Sequence, residues 1–195
     1  VVTTSSTNKY KKYNDAVATP ESGGSYTILN DKETKIVDGK KVIVEKPVEQ
    51  WAIGRYQHYY KHLEKEIIKA LNAQGINTSK LSKKDIVKAY INSPESQEAV
   101  QVILNEINFK AAEEQIEKFN LNAPVEEVAF LNHFLGNSGA NRYLTYRQKY
   151  GDKEADRLMA EGDGAGFKGI GGPDSEKPNA LVSKHIIRFR NGNID

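Results

Sequence analysis

The chain of 195 residues contains no cysteine. That absence removes disulfides, zinc–thiolate sites and thiol nucleophiles together, and leaves any chemistry to carboxylates, hydroxyls and the four histidines. No apolar run approaches the roughly 18 residues that a membrane helix needs, so no membrane span is expected. Charge of one sign is lacking too: 28 basic against 26 acidic side chains leave a net +2. This is too little for the field that marks a nucleic-acid surface, and no nucleic-acid partner is expected. The start, VVTTSSTNKY, has neither a methionine nor the basic-then-apolar pattern of a secretory signal, so the sequence reads as a fragment or a processed product. It holds no internal repeat.

What is present is the make-up of a globular protein, with 38% hydrophobic and 28% charged residues in a length that fills one core well. We therefore expect an N-terminal extension over 1–9, one domain over 10–160 and a Gly/Pro-rich C-terminal extension over 161–195. The stretch Tyr10 to Thr19 predicts a short helix ending before Pro20, because proline lacks an N–H and disfavours helical geometry at its predecessor. Ser22-Gly23-Gly24-Ser25 then reads as a turn, which leaves Glu21 at a helix end.

Between Lys35 and Val48, two β-branched stretches flank Asp38-Gly39 and predict a surface hairpin. From Ile53 the pattern becomes helical, with Tyr60, Leu63, Ile67, Ile68 and Leu71 on one face and Gly75 as the stop. Ser82 with Asp85 makes a capping box for a helix through Tyr90, and Ser93-Pro94 opens a longer helix with Val100, Ile103, Leu104, Ile107 and Ala111 as its buried stripe. Further helices are expected over 124–135, stopping at Gly136, and 140–150, before Gly151. The body is thus mainly α with one small β-hairpin. GDGAGFKGIGGPDSEKP after Glu161 reads as a long loop or linker, and LVSKHIIRF at 181–189 as a short strand or helix.

Three islands could carry chemistry: Pro20-Glu21-Ser22-Gly23-Gly24-Ser25-Tyr26, then Ala52-Ile53-Gly54-Arg55-Tyr56-Gln57, then Asn132-His133-Phe134-Leu135-Gly136-Asn137-Ser138-Gly139-Ala140. Taken singly, a glutamate beside glycines is most often a solvated turn residue and a histidine in an apolar helix a packed one. Their order carries more. A helix ending in Glu21-Ser22, a Gly-x-x-Gln segment from Gly54 to Gln57 and a later helix with His133 before Gly136 together resemble the soluble lytic transglycosylase family. The run HFLGNSGANRYL, with a loop from Asn137 to Ala140, resembles its phage and virion-associated branch, as does the helix start Ser-Pro-Glu-Ser-Gln-Glu at 93–98; goose-type lysozymes are more distant kin. The resemblance covers roughly residues 10–150.

It implies a lysozyme-like fold, a helical bundle around a substrate cleft, and cleavage of the β-1,4 bond between N-acetylmuramic acid and N-acetylglucosamine. Glu21 would be the single catalytic acid and base, forming a 1,6-anhydro sugar without water. Ser22, Tyr26, Gly54, Tyr56, Gln57 and His133 would bind the substrate, with no metal or cofactor. A proton donor for the leaving oxygen must stay protonated near neutral pH, well above the value of about 4.3 for a free glutamate. Burial in an apolar wall does this, and Val17, Tyr26 and residues 53–56 are the expected wall. Gln57 carries an amide suited to acetamido and hydroxyl groups. Tyr56 could stack on a sugar face, and His133 could orient Glu21 or touch substrate; plain packing is the other reading of both.

Two departures stand out. The gap from Glu21 to Gly54 is longer than the family pattern, and the hairpin accounts for the surplus as an insertion near the cleft mouth. His133 stands where many relatives have tyrosine. The implied partners are peptidoglycan glycan strands and other domains of a larger virion protein, acting on the bacterial cell wall in the periplasm; a secreted bacterial enzyme is the other source. Competing functions are a hydrolytic goose-type lysozyme and a virion structural or ejection domain. A metal-dependent peptidase using His58 and His62, four apart on a helix, is more remote, because Tyr59 replaces the needed glutamate.

Overall fold

The computed structural model describes residues 10–161, so the predicted N-terminal extension, the Gly/Pro-rich stretch and the 181–189 element lie outside the described residues. The fold is mainly α with a small antiparallel β component, as expected. In order, the elements are α1 (Lys11–Ser22), β1 (Leu29–Asn30), β2 (Lys32–Val37), β3 (Lys40–Glu45), a 3-10 turn (Val48–Gln50), β4 (Ala52–Ile53), β5 (His58–Tyr59), α2 (Tyr60–Ala73), α3 (Lys83–Ile91), α4 (Pro94–Lys118), α5 (Val125–Tyr150) and α6 (Asp152–Glu161). The chain forms two compact units, one up to Ile103 and one from Leu104. Among the described residues, no helix is long and apolar enough to cross a membrane.

In the first unit, α1 does not stop before Pro20; it continues through the proline to Ser22. Proline removes one helical bond, the one residue 20 would give to residue 16, and the last turn is held by other groups. Gly23 is left-handed at φ 64°, and the N–H groups of Gly23 and Gly24 reach back to the carbonyls of Thr19 and Ala18, which closes the helix end on two of its carbonyls. The predicted hairpin forms as β2 and β3, with Val37 opposite Lys40. Asp38 and Gly39 both have positive φ, 50° and 75°, the pair of angles a two-residue turn needs to follow the strand twist.

A second, three-stranded sheet, ordered β1-β4-β5 and antiparallel throughout, was not anticipated. The helix expected from Ile53 therefore begins only at Tyr60. The left-handed Gly54 and Gln57, at φ 73° and 49°, turn the chain between β4 and β5 before a helix can nucleate. Beyond that point the predicted stripe holds: Tyr60, Ile67 and Leu71 are buried, Leu63 and Ile68 pack on them, and Trp51, Ile53, Ile86, Val87, Tyr90 and Val100 complete this core. Ser82 caps α3, accepting from the N–H of Asp85 at 3.2 Å while donating to its carboxylate at 2.6 Å.

On α4, the predicted stripe is turned. Val100 is buried, but Ile107 is 59% exposed, and Gln97, Gln101 and Asn105 take inward positions at intervals of four. The helix rotates to bury amides because their partners lie inside: the Gln101 amide oxygen accepts from His58 Nε2 at 2.9 Å, and Gln97 serves the backbone of the β4–β5 turn.

The second unit buries Ala112 of α4 and Phe119 just after it, Val128, Phe130, Leu131, Tyr143 and Leu144 of α5, and Ala155 and Met159 of α6. The two helices expected around Gly136 are present, but no loop separates them. Gly136 (φ 66°, ψ 170°) breaks the helix by itself, and helix resumes at once across residues 137–140. Arg147 pairs with the fully buried Glu127 at 2.8 Å and holds Asp152 at the start of α6.

Candidate active site

Glu21 is the penultimate residue of α1 and half-buried, with the Gly23 cap directly after it. Next to it, the Ser22 hydroxyl donates to the carbonyl oxygen of Arg55 at 2.6 Å. That bond joins the first two islands of the sequence across 33 residues, with the hairpin as an excursion between them. A second joint lies in the sheet: β1 pairs with β4, and the Gly54 N–H donates to the Ile28 carbonyl at 2.7 Å. The Glu-Ser helix end and the Gly-x-x-Gln turn are thus brought to one place.

The turn itself is fixed by a residue that sequence reasoning passed over. The Gln97 carboxamide accepts from the Arg55 N–H at 2.9 Å and donates to the carbonyls of Tyr26 and Tyr90 at 3.1 and 3.0 Å. It lies so close to Gly54 that a β-carbon there would stand 2.0 Å from the amide oxygen. Gly54 is therefore required twice, for its left-handed φ and for this approach. Gln57 turns its own amide back to the Gly54 carbonyl at 3.0 Å and remains half-buried. Its side-chain oxygen has no partner among the described residues.

Glu98, Arg55 and Asp15 were missed as well. The hydroxyls of Tyr26 and Tyr56 both donate to the same oxygen of Glu98, at 2.6 and 2.8 Å. The Arg55 guanidinium stands over both rings, 5.1 and 5.6 Å from their centroids, and reaches the Gly24 carbonyl, the Asp15 carboxylate and, at 3.8 Å, Glu98. Burial pushes the Tyr26 phenol up to about 12, with the Glu98 hydrogen bond adding to it, and burial with the Glu98 charge raises Tyr56 further. Arg55 lies inside the GRYQ island, and Gln97-Glu98 inside a run that reads only as a helix start. The visible signal was the Gln97–Gln101–Asn105 spacing, amides along one helix face.

Tyr56 is corrected. At 1% exposure, with its ring 5.5 Å from that of His58, it offers no face for a sugar to stack on and acts as packing behind the turn. Tyr26 is half-buried, and Val17 and Ile53 of the expected wall are fully buried. His133 belongs to the second unit, on α5 three residues before the break at Gly136, half-buried against the edge of Phe134.

The peptidase pair is not on one helix. His58 sits in β5 with its ring nitrogens on the Tyr90 hydroxyl (2.7 Å) and the Gln101 amide (2.9 Å), while His62 is on the exposed side of α2 against Tyr59. Among the described residues, no group of three or more His, Asp or Glu side chains is placed to hold a metal ion. Comparison of the chain with protein-family models, curated proteins and solved structures returned no match.

Proposed function

We propose that this chain is a peptidoglycan lytic transglycosylase, part of a virion protein that opens the cell wall, in which Glu21 donates a proton to the glycosidic oxygen and then takes one from the 6-hydroxyl of the same muramoyl sugar. The first transfer breaks the β-1,4 bond to N-acetylglucosamine; the second lets the 6-oxygen close on the anomeric carbon, giving a 1,6-anhydro ring and restoring the Glu21 carboxylic acid. The observation that carries this reading is the 2.6 Å bond from Ser22 to the Arg55 carbonyl, because it sets the Glu-Ser helix end against the turn bearing Gln57.

A single-carboxylate course also fits the neighbours. Most glycosidases need a second acid as nucleophile or base. The carboxylates gathered at Arg55 are already engaged: Glu98 by two phenols, Asp15 by Arg55 and by Lys11 at 2.9 Å. Glu21, half-buried at the helix end beside Ser22, is the acid that the resemblance assigns to both proton transfers. Gln57, with an amide oxygen to spare, suits the substrate acetamido N–H or a sugar hydroxyl. The test is loss of peptidoglycan solubilisation on Glu21→Gln with the circular dichroism spectrum unchanged. Full activity in that variant would remove Glu21 from the mechanism.

A further inference from the structure

The β2–β3 hairpin is apolar on both of its faces and covered on neither. By its register, Thr34, Ile36, Lys41 and Ile43 share one face, and Lys35, Val37, Lys40 and Val42 share the other. Ile36 and Ile43 are each 74% exposed, Val37 50% and Val42 36%. Exposed apolar side chains gathered on one small element mark a contact surface.

The charges around them are one-sided. Glu33 at the base is paired with Lys35 at 2.9 Å and Glu45 with Lys84 at 2.6 Å. Lys32, Lys40 and Lys41 have no ion pair among the described residues, and between Lys35 and Ile43 the sequence carries a single carboxylate, Asp38 in the turn. A rigid partner laid against a two-stranded ribbon covers one face and leaves the apolar groups of the other in water. A fluid bilayer surface closes around both.

We propose that the hairpin is an interfacial membrane contact that docks this chain on anionic phospholipid, with Ile36, Val37, Val42 and Ile43 at the headgroup–acyl boundary and Lys32, Lys40 and Lys41 against lipid phosphates. Strands of six residues are too short to span, since a transmembrane strand takes roughly 9–11. Asp38 holds the turn at headgroup depth. The contact is independent of the Glu21 chemistry and would keep the chain beside a membrane while it works.

The experiment is flotation of the full chain with vesicles of phosphatidylcholine alone or mixed with phosphatidylglycerol, at low and high salt. We expect binding to the mixed vesicles, weakened by salt, and lowered about tenfold or more by Ile36→Ser with Ile43→Ser and, separately, by Lys40→Gln with Lys41→Gln. All four side chains are exposed, so these variants keep the fold, which circular dichroism checks. Glu21→Gln should float as the parent does, which separates this contact from the catalytic reading. Absence of binding to the anionic vesicles, equal binding to neutral ones, or unchanged binding in both hairpin variants would overturn the proposal, as would retention on purified cell wall with none on vesicles.

Discussion

Replacing Gly54 by alanine probes the joint on which the candidate site depends. Gly54 holds φ 73°, a region that costs an L-residue roughly 1–2 kcal/mol, and its new β-carbon would lie 2.0 Å from the Gln97 amide oxygen. That oxygen must move, and the carboxamide then gives up bonds to the Arg55 N–H and the carbonyls of Tyr26 and Tyr90. At about 1 kcal/mol net for each bond, two or three lost bonds and the strain sum to about 3–5 kcal/mol, well above an ordinary substitution. Urea unfolding followed by Trp51 fluorescence reads this directly, because Trp51 is buried in the core of the same unit. In a Gln97→Ala background the clash is gone, and Gly54→Ala should add only the roughly 1–2 kcal/mol of backbone strain. A loss below about 0.5 kcal/mol in the parent, or the same increment in both backgrounds, would refute the reasoning.

Ser22→Ala removes the bond between the two islands and leaves the Arg55 carbonyl without that donor, so solubilisation of peptidoglycan should fall about tenfold or more while the chain stays folded; unchanged activity would show that the joint does not position the site. The Tyr26 phenol, raised to about 12 by burial and by Glu98, favours the folded state below pH 10, and this contribution is lost as pH climbs from 10 through 12. Glu98→Gln should shift its ionisation downward in a spectrophotometric titration, and an unmoved titration would contradict the Glu98 assignment. In the second unit, Glu127→Ala takes one of two carboxylate partners from the buried Arg147, with Asp152 remaining, and should cost about 1–3 kcal/mol in urea unfolding, whereas Glu127→Leu with Arg147→Met should cost less.

Local chemistry was readable wherever it was self-contained. Asp38-Gly39 between β-branched runs could form little but a tight hairpin, and Ser82 with Asp85 specifies its own helix start. What escaped depended on partners distant in sequence. The rotation of α4 is set by Gln97 and Gln101 reaching the β4–β5 turn and His58, so a stripe drawn from apolar residues alone put Ile107 inside. Helix α1 ran through Pro20 because the Gly23 cap secures its last turn. At Gly136, one left-handed residue replaced the loop expected over 137–140.

In the candidate site, the island order pointed to Glu21, Ser22, Gly54 and Gln57, and the fold gathers them. Arg55 and Glu98 were unreadable because other segments supply their partners: Asp15 and Tyr26 for Arg55, Tyr26 and Tyr56 for Glu98. Tyr56 kept two readings in the sequence, stacking or packing, for the same reason: an aromatic beside a turn looks available until the helix behind it is known.

Mass spectrometry of the soluble fragments released from purified peptidoglycan by the parent chain and by Glu21→Gln decides whether Glu21 forms the anhydro ring. The expected outcome is muropeptides ending in 1,6-anhydro-N-acetylmuramic acid from the parent and none from the variant. Reducing ends, or the same products from both proteins, would contradict it.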